Sequence, residues 1–193
     1  MLLAVVVGAA IVAGLPESHA VLEPTWEFCV DCCSLYCAAA PTLKISDHLS
    51  PRSGNAYGAT ELEDGRTDTA WVVRRGPGAW FEFAFEPAGF HPGLPPNNTR
   101  TGVDRLYVSN GYNKSPRHWR EHARIRQLLL AVDGRDVAMI SLLDDQRPQR
   151  VDLPRTLLHR GITFRFTIVT TCKGDRFDET AVSEVHIDGY GHH

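Results

Sequence analysis

The chain has 193 residues, 43% hydrophobic and 22% charged, with a formal net charge of −3 at pH 7. That is enough apolar material for one globular domain with its own core. The near balance of charge excludes the bulk electrostatic pull by which proteins gather nucleic acid or anionic membrane.

Residues 1–15 form an almost wholly apolar run, followed by Pro16, Glu17, Ser18, His19 and Ala20. Ser18 and Ala20 give the small–x–small pattern of a signal-peptidase site. The run is too short to span a bilayer comfortably. Residues 1–20 are therefore predicted to be a signal peptide, although no Lys or Arg precedes the apolar run. The mature protein is predicted to be secreted, periplasmic or extracellular, with no membrane span. Residues 21–41 follow as a short arm holding Cys29, Cys32, Cys33 and Cys37, and the fifth cysteine is Cys172. In an exported chain these predict disulfides, with one arm cysteine reaching Cys172 and one thiol left over. The Cys29-x-x-Cys32 spacing also suits zinc, but no matching second pair follows.

Residues 42–193 read as one domain of short strands. In 79–85, Phe81, Phe83 and Phe85 alternate with Trp80 and Glu82. In 104–108, Leu106 and Val108 alternate with Arg105 and Tyr107. In 161–170, Ile162, Phe164, Phe166 and Ile168 form an apolar face. Period two is the signature of a half-buried strand. Strands 128–132 and 137–143 flank Asp133-Gly134, a dipeptide that tolerates the positive φ of a tight hairpin. A short strand at 151–153 precedes Pro154. Residues 87–102 read as a long surface loop carrying the glycosylation sequon Asn97-Asn98-Thr99. Ser115 and Pro116 look like an N-cap and first turn, so one helical turn is expected before a strand in 115–130. The last strand, 182–187, places a single carboxylate, Glu184, among apolar residues. A strand seldom buries a charge without a partner. The architecture predicted is all-β, an antiparallel sandwich with a Cys-rich N-terminal arm.

Three clusters are candidates for chemistry. The turn Asp64-Gly65-Arg66-Thr67-Asp68-Thr69 offers alternating oxygen donors that suit a hard cation, and Glu184 is placed to close the shell. The alternative is that the aspartates hydrogen-bond their own turn and Glu184 pairs with an arginine. The segment 110–126 mixes aromatic, amide and cationic groups of the kind that bind sugars. Asn110, Tyr112, Lys114, Trp119 and Arg120 are the candidate glycan contacts, against the alternative that the aromatics belong to the sandwich and the cations to a solvated face. Finally, His118, Glu121 and His122 match H-x-x-E-H, an inverted zinc-protease spacing. That chemistry needs a stable helix and a further ligand from a second one, which the strand-like sequence downstream does not offer.

Taken in order, D-G-x-x-x-T-A-W, G-P-G-A-W-F-E-F, S-N-G-Y-N-K-S and K-G-D-R-F-D-E-T-A-V-S-E-V resemble the discoidin-like (coagulation-factor type C) domain of the NAD-glycohydrolase translocation family, a NADase-type glycan-binding domain. The resemblance runs from about residue 43 to 189. It implies a galactose-binding-like jelly roll with ligand loops at one end. It also implies a structural calcium held by Asp64, Thr69 and Glu184, with a backbone carbonyl from Arg66. The toxin activity is not carried over. The function expected is a non-catalytic module for a glycan or another cell-surface ligand. A protein-docking module is the alternative, and a hydrolase using the His/Glu cluster stands behind both.

Overall fold

Phenylalanines at every second position of two segments leave each strand one way to bury them, against a facing layer. The computed structural model describes residues 14–22, 35–52, 54–90 and 101–190. Its strands are β1 Glu17–Leu22, β2 Thr42–Ile45, β3 Trp71–Val73, β4 Trp80–Ala84, β5 Gly102–Asn110, β6 Arg124–Val132, β7 Arg135–Ser141, β8 Gln149–Leu157, β9 Thr163–Cys172 and β10 Thr180–Tyr190. Two short helices, α1 Leu35–Ala38 and α2 Pro116–Glu121, accompany them. The predicted all-β class holds. The strands run in the order β2-β4-β9-β6-β7-β1-β8-β5-β10-β3, one sheet curled into two layers. That shape fits a jelly roll.

The layers close over one apolar core. Phe81, Phe83 and Phe85 meet Phe164, Phe166 and Ile168, and all are buried. Phe81 and Phe166 stack at 5.0 Å between ring centroids, and Trp71 of the opposite layer meets Phe81 edge-on at 6.1 Å. Burying each such ring is worth about 1.5–3 kcal/mol. The β6–β7 hairpin turns on Asp133 and Gly134, with φ of 49° and 76°, the type I′ combination expected of that dipeptide. Ser115 caps α2 through its hydroxyl, which accepts from the His118 N–H, and Pro116 opens the helix.

Two strands differ from expectation. β8 does not stop at Pro154 but runs through it to Leu157. Proline lacks an N–H, so it suits a stretch with an unpaired side. β1 covers β8 only at Gln149–Val151, and β5 bulges between Val103 and Arg105, opposite the proline. In β10, Val182 and Val185 both reach the core although three residues apart. Pairing changes there from β3 to β5. The irregularity releases Glu184 from the core face that strict alternation with Val182 would give it.

β1 joins the layers. Glu17–His19 run parallel to Met139–Ser141 of β7, and Ala20–Leu22 run antiparallel to β8. Ala20 is buried in the core. The processing point expected after Ala20 therefore falls inside this strand. The far end of the expected arm is also built in, with Leu35, Ala38 and Ala39 buried. The apolar run through residue 13, Cys29, Cys32, Cys33, the Cys37 side chain and the sequon at Asn97 lie outside the described residues. Cys172, at the end of β9, is partly exposed and has no disulfide partner among the described residues.

Comparing a chain that starts at Pro16 with one that starts at Val21 tests the seam. Loss of Glu17–Ala20 should lower the melting temperature by about 5–10 °C, equivalent to roughly 2–3 kcal/mol in a domain of this size. Equal melting temperatures would show that β1 contributes nothing to stability.

Candidate functional site

The connections 46–70, 74–79, 111–123, 142–148 and 173–179 all lie at one end of the sandwich. Glu184 sits beneath the first of them and is only 5% exposed. Its Oε1 accepts from the Arg66 N–H at 2.8 Å, and its carboxyl is hydrogen-bonded to that of Asp64. Thr69 Oγ1 lies 3.0 and 2.9 Å from the Asp64 oxygens and 3.0 Å from the Arg66 carbonyl. The two distant segments thus meet, and Asp64, Arg66, Thr69 and Glu184 converge on one point. The Arg66 guanidinium turns away to Asp68, at 2.9 Å. Among the described residues no cationic side chain bridges Asp64 or Glu184. Burial first, then the hydrogen bond to Asp64, pushes the Glu184 carboxyl up to about 8, while the Arg66 N–H pulls it down. Two adjacent carboxyls, a hydroxyl and a carbonyl are an oxygen-only donor set, which fits a hard divalent cation.

The S-N-G-Y-N-K-S string builds the next connection from within. Asn110 is fully buried, and its amide spans the β5–β6 gap. Nδ2 donates to the Ile125 carbonyl at 2.7 Å, and Oδ1 accepts from the Ile125 N–H at 3.0 Å. Gly111 takes φ of 90°, and a Cβ there would meet Trp119 Cδ1 at 2.5 Å. Only glycine combines that φ with that approach. Trp119 Nε1 donates to the Asn110 carbonyl at 2.9 Å. Tyr112 is buried against Tyr57, His118 and His122. Asn110 and Tyr112, expected to face a glycan, are therefore internal braces whose polar atoms are taken by the protein. Trp119 is half-buried beneath Arg124, whose guanidinium lies 4.3 Å from its ring. Lys114 and Arg120 are exposed.

Arg124, read in the sequence only as one more cation of the 110–126 segment, ties three connections together. It binds Asp144 at 2.6 Å, the His122 carbonyl at 2.8 Å and the Lys173 carbonyl at 3.4 Å. The signal available was an arginine at the head of a strand that turns apolar from Leu128 onward. The His118/Glu121/His122 spacing does not assemble a metal centre. α2 has six residues, and the three side chains have separate partners: His118 Nδ1 meets Ser115 Oγ, His122 Nδ1 meets the His118 carbonyl, and Glu121 pairs with Arg117.

Two shallow clefts of about 360 Å³ each open at this end. One is bounded by Arg75, Gly76, Ala123, Thr171, Lys173 and Asp178. The other is bounded by Thr67, Ser109, Asn113, Gln146, Arg147 and Pro148. Ser109 and Asn113 lie in the S-N-G-Y-N-K-S string, but nothing in it set them apart as contacts. They matter because the register places Ser109 beside Glu184 and the turn places Asn113 beside Ser183.

Residues 35–188 match the model of the NAD glycohydrolase translocation F5/8 type C domain. No curated protein matches the sequence at a significant level. Among solved structures, the CBM32-1 and CBM32-2 domains of ZmpB from Clostridium perfringens share 12% identity at a TM-score of 0.56, over 92% of this chain and 41% of that one. CpGH89CBM32-5 from the same organism, in complex with GalNAc-β-1,3-galactose, shares 12% identity at 0.50, over 76% of this chain and 94% of that one. A putative chitobiase fragment from Bacteroides thetaiotaomicron shares 15% identity at 0.50, over 80% and 95%. The likeness is one of fold, and the chain spans 41% of the two-domain ZmpB chain.

Two measurements follow from the geometry. The folded chain holds the Glu184 proton more tightly than the unfolded chain does. The associated stability is fully present below the ordinary value of 4.5 and is lost as pH rises through about 8. In chelator the melting temperature should fall across that window, and Glu184→Gln should flatten the fall. A pH-independent wild type would overturn the carboxyl pairing. Asn110→Ala should cost about 2–4 kcal/mol, because it strands both backbone groups of Ile125. Thermal melting should register this as a drop of roughly 5–15 °C.

Proposed function

The chain belongs to the NAD glycohydrolase translocation F5/8 type C domain family, and from that premise we propose that it is an exported, non-catalytic module that binds a carbohydrate on a cell surface. The observation that carries this reading is the end of the sandwich itself. Five connections, braced by Asn110, Arg124 and Ser183, form shallow clefts that carry hydrogen-bonding groups, with their walls already fixed. Shallow, pre-formed, hydrogen-bonding sites suit sugars, whose recognition rests on a few well-placed polar contacts. The fold is shared with CBM32 domains, and two of the similar structures contain GalNAc or GalNAc-β-1,3-galactose.

Calcium belongs to this reading as a structural ion. Asp64, Glu184, Thr69 Oγ1 and the Arg66 carbonyl would hold it. Its charge would let both carboxyls ionise and would fix the loop that walls one cleft. Export rests on the apolar N-terminal run.

A glycan array probed with the refolded chain is the direct test. Binding to a defined set of glycans, reversed by the free sugar, is the expected result. Silence across the array, with a protein recovered instead by affinity capture, would replace the carbohydrate reading with protein docking.

A further inference from the structure

The two clefts differ in chemistry. The walls of the first carry Arg75, Lys173 and Asp178, all exposed. The second holds two buried polar atoms with no hydrogen-bond partner, Ser109 Oγ and Asn113 Oδ1. Ser109 is 1% exposed. Native proteins leave few buried polar atoms unpaired, and two beside one cleft mark a place where a ligand completes the set. The other atoms of Asn113 are committed: its N–H donates to Ser183 Oγ at 2.9 Å and its Nδ2 to the Asn110 carbonyl at 3.4 Å. That arrangement puts the amide nitrogen toward Asn110 and leaves the oxygen over.

The leftover groups define what fits. Asn113 Oδ1 only accepts, and Ser109 Oγ both donates and accepts. Arg147, at the rim, is closed on Asp145 by two side-chain bonds of 3.0 Å, so its charge is answered within the protein. An anionic group would meet an acceptor oxygen and find no unpaired cation on these walls. A ligand rich in O–H donors and without charge meets both needs. The volume lies at the lower end of the ~300–1,000 Å³ typical of small-molecule sites, enough for one sugar ring.

We propose that the Thr67/Ser109/Asn113/Gln146 cleft is the sugar subsite and takes one uncharged sugar residue. Its hydroxyls donate to Asn113 Oδ1 and exchange a hydrogen bond with Ser109 Oγ. The assignment rests on the carbohydrate-binding reading and narrows it to this cleft and to neutral sugars.

The test is amide-resolved NMR of the full chain, titrated separately with N-acetylgalactosamine, galactose and the charged sugar glucuronate. The expected result is perturbation at Thr67, Ser109, Asn113 and Gln146 by a neutral sugar, and none there by glucuronate. Ser109→Ala removes a hydroxyl that has no partner, so its melting temperature should be unchanged or raised. Its affinity for the neutral sugar should fall roughly three- to tenfold, the worth of one hydrogen bond. Perturbation confined to Arg75, Ala123, Thr171 and Lys173 would overturn this subsite while leaving carbohydrate binding intact. Unchanged affinity in Ser109→Ala would do the same. No perturbation by any of the three sugars would overturn the subsite, and together with a silent array it would overturn the carbohydrate reading as well.

Discussion

A carboxylate taken out of water inside a sheet must find hydrogen-bond donors, a counter-charge or a proton. Glu184 is in that position, and the site end of the molecule is organised around its needs. The turn that begins at Asp64 is carried across the sheet to present the Arg66 N–H to it. Next door, Ser183 Oγ donates to the Thr67 carbonyl and accepts from the Asn113 N–H, which fixes that turn and the β5–β6 connection at a shared point. The change of partner from β3 to β5 occurs at the same two residues. An early segment, a middle one and a late one are thereby set in place by one local requirement.

The other connections rest on a second buried ion. Arg124 spends its guanidinium on Asp144, on carbonyls of two connections and on the face of Trp119. A guanidinium in this setting acts as a geometric fixture, since its planar fork admits few arrangements. The clefts consequently have walls whose ordering cost is met at folding and not at binding. Such pre-organisation lets a shallow site hold a small polar ligand.

Much of this was legible in the sequence, and the failures have physical causes. The Phe and Ile stripes identified the core strands because alternation with burial on one side has few other solutions. A lone carboxylate in an apolar strand correctly pointed to a partner far away, at the Asp64 turn. Asn110 and Tyr112 were read as ligand contacts because an amide or a phenol that binds sugar looks the same, in one dimension, as one that braces Ile125 or fills a gap beside His122. What separates the two is whether a neighbouring backbone lacks a partner, and that exists only once strands are paired. β1 was hidden for a related reason. The small residues that suit a peptidase subsite, Ser18 and Ala20, also suit a strand pressed between two others, and only Ala20 of that strand is buried.

The seam strand also bears on how the chain reaches its final form. β1 comes first along the sequence, yet its partners β7 and β8 lie far downstream, so its docking is entropically late. The finished sheet terminates in β2 and β3, of four and three residues, too short to template another molecule. Before β1 docks, strands of seven and nine residues have bare backbone at the seam. A second copy's β1 would fit that opening as well as the chain's own, so crowding during folding would favour strand-exchanged dimers.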